Sequence, residues 1–251
     1  MRGVTLITGA SAGLGAEFAR QCAARGEELA LVARRRDRME ALAAEIGGKV
    51  HIFAADLAKA GAAASLIAEL EAEGLTVDTL INNAGFGLAG KFAERPLGRF
   101  SEMIDLNCRT LVELCHLALP GMRERGRGAI CNVASTAAFQ PGPNMAVYYA
   151  TKAFVLFFSE ALHHELKGSG IRVSALCPGP TATEFGEVAQ SNSPALKLIR
   201  GEAPAVVRAG LKGLDRNKAV VIQGWPNKTT AQMSRLLPRA AMRRIVGGIK
   251  V

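Results

Sequence analysis

Residues 148–152 read YYATK. The chain has only two tyrosines in 251 residues, and both stand here, Tyr148 and Tyr149, with Lys152 just beyond them. A phenol with its ordinary pKa of about 10 is a poor acid or base at neutral pH. An ammonium beside it favours the phenolate and lowers that value. Residues three or four apart share a helix face, so Lys152 reaches either tyrosine, and local spacing leaves the choice open. Ser135 closes the apolar run GAICNVAS thirteen positions before Tyr148, and its hydroxyl can donate a hydrogen bond to a substrate oxygen.

A second constellation lies at the start of the chain. The apolar run VTLI leads into TGASAGLG, with Gly9, Gly13 and Gly15. Glycines between a strand and a helix let the backbone approach a pyrophosphate, and the helix N-terminus supplies free N–H groups and partial positive charge. The next β-rich run ends in LVARRRDRM, which places Arg34 where a carboxylate would select a free ribose 2′-hydroxyl, with Arg35 and Arg36 beside it. A guanidinium there suits a 2′-phosphate. Asp37 is close enough in sequence to pair with one of these arginines.

The elements that must position these groups follow one pattern. Seven short apolar runs, from VTLITGA to AVVIQGW, alternate with alanine-rich amphipathic stretches that end in glycine. Nearly continuous apolar strands of this kind belong to a parallel sheet covered on both faces. The expected fold is a Rossmann-like, doubly wound α/β sheet of about seven strands in a single domain spanning 1–251. Ligands bind such sheets beyond the carboxyl ends of the strands. Gly9, Arg34, Asp56, Asn82, Asn83, Ser135 and the Pro178–Pro180 turn all fall at such ends.

Composition excludes other classes. Hydrophobic residues make up 49% and charged residues 21%, as in globular proteins. No stretch reaches the roughly 18 apolar residues of a membrane span, and no secretory signal is visible, so a cytoplasmic location is expected. Five scattered cysteines without a C-x-x-C pair read as reduced thiols, and the four histidines show no ligand spacing, so no metal site is expected.

Taken in order, T-G-x-x-x-G-x-G at Thr8–Gly15, N-N-A-G at Asn82–Gly85, Ser135, and Y-x-x-x-K at Tyr148–Lys152 resemble the short-chain dehydrogenase/reductase family. The likeness covers roughly residues 1–190. It implies that Tyr148 is the acid/base, with Ser135, Lys152 and Asn107 completing the catalytic set and the proton relay, and that Tyr149 is a wall or packing residue. It also implies cofactor contacts from Gly9, Ser11, Ala12, Gly13, Leu14, Gly15, Arg34, Asp56, Leu57, Asn83, Gly85, Tyr148, Lys152, Thr181 and Thr183. The implied reaction is hydride transfer between NADP, preferred as NADPH over NADH, and a carbonyl or alcohol carbon. A cofactor-binding regulator without turnover is the alternative, and the intact Ser135, Tyr148 and Lys152 argue against it.

The likeness fades near residue 184. Residues 184–215 stand where the family varies its substrate lid, and their apolar composition suggests a ketone, aldehyde or 3-oxoacyl substrate. Beyond Asp215 there is no acidic residue, against eight cations. Arg235, Arg239 and Arg243 are spaced for one helical stripe, with Leu237, Ala241 and Ile245 on another face and Pro238 in the first turn. The favoured reading is a solvated basic face whose apolar side packs on the body or on another subunit; the alternative is weak contact with an acyl carrier or an anionic membrane surface. A homodimer or homotetramer is expected, and nucleic-acid binding is not, because aromatic interleaving is missing.

Overall fold

The computed structural model describes residues 1–190 and 201–248, with only the backbone of Arg235. The central part of the expected lid, residues 191–200, and Lys250 lie outside the described residues. The first half of the chain forms β1 (Arg2–Thr8), α1 (Gly13–Ala23), β2 (Leu29–Ala33), α2 (Arg36–Ile46), β3 (Val50–Ala54), α3 (Ala62–Ala72) and β4 (Leu75–Asn82). Then come α4 (Leu97–Ile104), a π-turn at Asp105–Arg109, α5 (Thr110–Glu124), β5 (Gly128–Val133), α6 (Ala146–Glu165) and β6 (Ile171–Cys177). The chain continues with the short α7 (Phe185–Val188), α8 (Ala203–Asp215), β7 (Val220–Ile222), α9 (Trp225–Leu236) and α10 (Arg239–Gly247).

All seven strands join one parallel sheet in the order β3-β2-β1-β4-β5-β6-β7. Alternate residues of each strand enter opposite cores. Leu6, Ala30, Val32, Ile130 and Val173 pack with Leu66 of α3, Leu114 of α5 and Val155 of α6. Ile7, Leu29, Leu31, Cys131 and Leu176 pack with Phe18 of α1, Met39 of α2 and Val207 of α8. Burial on both faces explains why the strands read as unbroken apolar runs rather than as an alternating pattern.

From β1 the chain winds outward to β2 and β3, then returns to the other side at β4. The reversal opens a crevice at the carboxyl ends of β1 and β4, which is where a doubly wound sheet binds ligands. Beneath it runs a buried polar ladder. Asn82 pairs in register with Asn132 and donates from Nδ2 to its Oδ1 at 2.9 Å. Asn132 Nδ2 donates to Ser159 Oγ at 2.9 Å. These bonds satisfy amides that would be costly to bury unpaired, and they tie β4 and β5 to α6, the helix that carries Tyr148 and Lys152.

The C-terminal segment differs from the expected single stripe. Leu237 is extended (φ −84°, ψ 142°) and Pro238 caps a new helix. Proline disfavours helical geometry in the residue before it, so α9 ends and Arg235 falls on a different helix from Arg239 and Arg243. On α10, Met242 and Val246 are buried against the body, while Ile245 is exposed. Arg239, Arg243 and Arg244 remain on the surface, in line with the solvated basic face.

Candidate active site

The β1–α1 turn is built by close approach. Gly9 and Gly13 have φ of +67° and +56°, a left-handed region that penalises a side chain. A Cβ at Gly15 would stand 2.1 Å from the Gly9 carbonyl oxygen, so α1 can start here only on glycine. Ala12 is extended and offers no side-chain cap, so the first-turn N–H groups are left for an outside acceptor. Leu14 packs against the core beside this turn. The Thr8 hydroxyl accepts from the backbone N–H of Asn83 and Ala84 at 3.0 and 2.9 Å. Asn83 Nδ2 donates to the carbonyls of Thr8 and Gly9 at 2.9 and 3.3 Å. Asn83 thus acts on the turn's shape, holding it against the end of β4. Thr8 plays the matching part, which its motif position hinted at without revealing.

The two tyrosines separate in space. Tyr148 is buried, 8% exposed, in an apolar cluster with Leu88, Phe100, Met103 and Met145. Tyr149 turns toward Gly142, where an added Cβ would fall 2.2 Å from its ring, and meets Tyr148 edge-on with centroids 6.1 Å apart. It is a packing residue. Ser135 ends the β5 segment and caps the following turn, its Oγ accepting from the Ala137 N–H at 3.1 Å. That leaves the hydroxyl proton to donate toward the Tyr148 phenol.

Lys152 is 6% exposed, and its Nζ donates to the Val133 carbonyl at 2.8 Å. Burial lowers its pKa from 10.5 to about 8, so it remains mostly charged at neutral pH. Its Nζ lies 5.9 Å from the Tyr148 ring centroid. A neighbouring ammonium lowers a phenol's pKa, yet here burial is the larger influence: it pushes Tyr148 up to about 12, and the Ser135 hydroxyl offsets only part of that rise. Burial thus favours the neutral phenol, which can donate a hydrogen bond.

Asn107 sits in the π-turn, 1% exposed. Its Oδ1 accepts from the Phe86 N–H at 3.1 Å, and its Nδ2 donates to the Phe86 carbonyl at 3.0 Å and to Thr151 Oγ1 at 3.1 Å. The side chain therefore fixes the strand-end loop to α6. A π-turn takes backbone carbonyls out of the usual ladder, and such turns are frequent at functional sites. A Cβ at Gly85 would lie 2.9 Å from Asn107 Oδ1 and 3.5 Å from Lys152 Nζ, so glycine keeps this junction open.

At the far end of the crevice, Arg34 is exposed and makes no ion pair among the described residues. Arg35 Nε and Nη2 reach back to Ser11 Oγ at 3.3 and 3.2 Å. Arg36 lies 3.8 Å from Glu40. Arg35 and Arg38 pair with Glu184 rather than with Asp37, the Glu184 carboxylate lying 3.1 Å from Arg35 and 2.8 Å from Arg38. Nothing local in the sequence links positions 35 and 184. Asp56 caps its own turn, Oδ1 accepting from the Ala58 N–H at 3.2 Å. Leu57 is buried, and its carbonyl accepts from Thr110 Oγ1 at 2.5 Å. Thr181 Oγ1 donates to the Gly179 carbonyl at 2.9 Å, and Thr183 lies against Gly13.

No described helix is long and apolar enough to cross a membrane, and no cluster of three His, Cys, Asp or Glu residues among the described residues could hold a metal ion.

Comparison with known proteins agrees with this architecture. Residues 3–193 match the family described as short chain dehydrogenase. Sulfoacetaldehyde reductase 2 of Chromohalobacter salexigens is 41% identical over 189 residues, 74% of this chain and 75% of its own length. The NADP-dependent 3-hydroxy acid dehydrogenase YdfG of Escherichia coli is 37% identical over 187 residues, with the same coverage of 74% and 75%. A short-chain dehydrogenase from Sphingobium yanoikuyae, solved in complex with NADPH, superposes with a TM-score of 0.83 at 36% identity, covering 99% of this chain and 96% of that one. With a parallel sheet in this order and matches of this extent, the chain belongs to the short-chain dehydrogenase family.

Proposed function

We propose that this chain is an NADP(H)-dependent oxidoreductase that interconverts a carbonyl and an alcohol on an apolar ketone or aldehyde. One observation carries the reading: a buried Tyr148 meets the Ser135 hydroxyl and lies 5.9 Å by its ring centroid from Lys152 Nζ, in the same chain as a glycine turn held by an arginine. The glycine cradle, where a Cβ at Gly15 would collide with Gly9, fits a pyrophosphate, and Arg34 with Arg35 fits a ribose phosphate. When bound, the nicotinamide supplies or accepts the hydride.

The chain's own residues do the rest. Ser135 and Tyr148 donate hydrogen bonds to the substrate oxygen, which orients it and stabilises negative charge as it develops there. Tyr148 then delivers its proton to that oxygen. The Lys152 ammonium, charged below about pH 8, stabilises the phenolate left behind. Asn107 keeps the loop at Phe86 against α6, and its backbone carbonyl in the π-turn is suited to hold a relay water. The apolar surroundings of Tyr148, including Phe100, Met103 and Met145, support a substrate with apolar substituents. Homo-oligomerisation is supported by an exposed apolar face on α6, where Phe154 is 45% and Phe157 68% exposed. The exposed arginines of α10 are the surface any contact with an acidic partner would use.

The test is turnover of a panel of ketones and aldehydes, followed at the nicotinamide absorbance with NADPH and with NADH. Sulfoacetaldehyde, reduced with NADPH, and a 3-hydroxy acid, oxidised with NADP+, after the names of the two relatives, form the anionic arm. The expected result is turnover of apolar carbonyl compounds with NADPH favoured at least about tenfold, or ~1.4 kcal/mol. Equal kcat/KM for the two cofactors would reject the NADP assignment, and turnover confined to the anionic arm would reject the substrate class.

A further inference from the structure

Glu184 belongs to a segment that touches both the glycine turn and Tyr148. Its Oε1 accepts from Arg38 Nη1 at 2.8 Å, and its Oε2 from Arg35 Nη2 at 3.1 Å. Arg35 is at the same time anchored to Ser11 in the glycine turn. The residue before it, Thr183, lies so close to the turn that a Cβ on Gly13 would meet its side chain at 3.1 Å. The residue after it, Phe185, packs on the Tyr148 ring with centroids 5.3 Å apart. Further on, Ala189 is fully buried, and its carbonyl accepts from the Ala89 N–H at 2.8 Å.

The carboxylate therefore occupies the guanidinium groups that line the adenosine end of the crevice. The arginine hydrogen bonds hold Glu184 below the usual carboxylate range, so it is charged at neutral pH. A carboxylate carries one negative charge. A phosphate monoester carries up to two, with three strong acceptor oxygens, and so outbids a carboxylate for the same guanidinium groups. A neutral ribose hydroxyl has no such advantage.

We propose that Glu184 is a specificity-determining residue for the cofactor: its carboxylate competes with the ribose 2′-phosphate for Arg35 and Arg38. The proposal rests on the NADP reading above. Glu184 has two consequences. It weakens binding of the phosphorylated cofactor relative to what the arginines alone would give. It also links that end of the crevice to the reacting end, because the segment it holds places Thr183 on the glycine turn and Phe185 on Tyr148.

Binding of two nucleotides that differ by one phosphate isolates the effect. Calorimetric titrations of wild type and Glu184→Gln with 2′,5′-ADP and with 5′-AMP need no turnover. Glutamine keeps the size of the half-exposed side chain and removes its charge. Exposed ion pairs of this type are individually weak, so the expected gain for 2′,5′-ADP is about three- to tenfold, with 5′-AMP changed less than about twofold. Glu184→Ala is expected to reproduce the gain. Unchanged or weaker 2′,5′-ADP binding in both variants, with wild type still preferring it over 5′-AMP, would overturn the role of Glu184 and leave the NADP reading standing. An equal gain for both nucleotides would also overturn it, since that result reports general charge. A wild type that binds the two nucleotides equally would reject the NADP reading, and this proposal with it.

Discussion

Replacing Lys152 with methionine is expected to stabilise the fold while removing the ammonium from the proposed catalytic set. Lys152 is an ammonium in a buried site, 6% exposed, with Val133 as its one hydrogen-bond partner among the described residues. Its pKa falls from the ordinary 10.5 to about 8 on folding because burial penalises the charge. The unfolded chain therefore binds the proton more tightly than the folded one. The cost is fully present below about pH 8 and fades as pH rises toward 10.5. At neutral pH it amounts to roughly 3 kcal/mol, at about 1.4 kcal/mol per tenfold difference in proton affinity. Methionine fills a similar volume without charge, but it gives up the bond to the Val133 carbonyl, worth about 1 kcal/mol. The net expectation is a gain of about 2 kcal/mol at pH 7, or roughly 4–8 °C in Tm for a chain of this size. At pH 9.5 the ammonium penalty in wild type falls to roughly 1.4 kcal/mol, and the gain should nearly vanish. Urea unfolding of both proteins, free of nucleotide, at the two pH values measures this directly. A Lys152→Met variant less stable than wild type at pH 7, or a difference that ignores pH, would refute the argument that burial sets the state of this lysine.

Two further expectations use the same geometry. Tyr148→Phe removes the transferable proton and keeps the ring, so turnover should fall roughly 10²–10⁴-fold with nucleotide affinity nearly unchanged, whereas Tyr149→Phe should cost far less; steady-state kinetics and a binding titration on both variants check the ranking. Asn132→Ala removes the centre of the ladder from Asn82 to Ser159 at a position fully shielded from solvent, and should cost about 2–4 kcal/mol in urea unfolding.

What the sequence made legible, and what it hid, divides along one physical line. The seven strands were readable because each is apolar on both faces, a property that a short run of residues displays by itself. The glycine turn was readable for a similar reason, since backbone that must pass within 2.1 Å of another carbonyl leaves glycine as its mark. The spacing of Tyr148, Tyr149 and Lys152 was a weaker signal. Three and four residues both reach across a helix turn, and only the end of β5, bringing Ser135 to one ring while Gly142 takes the other, separates the two phenols. The misreadings concern quantities that no local stretch contains. A lysine four residues from a tyrosine predicts a lower phenol pKa in water. In the fold the same helix face is buried, and loss of solvent, offset only in part by the Ser135 hydroxyl, sends the phenol up to about 12, while burial sends the lysine down to about 8. Asp37 stands beside the arginines in sequence, yet the helix that begins at Arg36 leaves Arg35 facing the glycine turn, where Glu184 arrives from beyond β6. In both cases the count of charges was correct and their environment was not. The electrostatic state of this site is set by which elements pack around it, and burial, rather than the nearest charged neighbour in the chain, is the largest influence on the Tyr148 phenol.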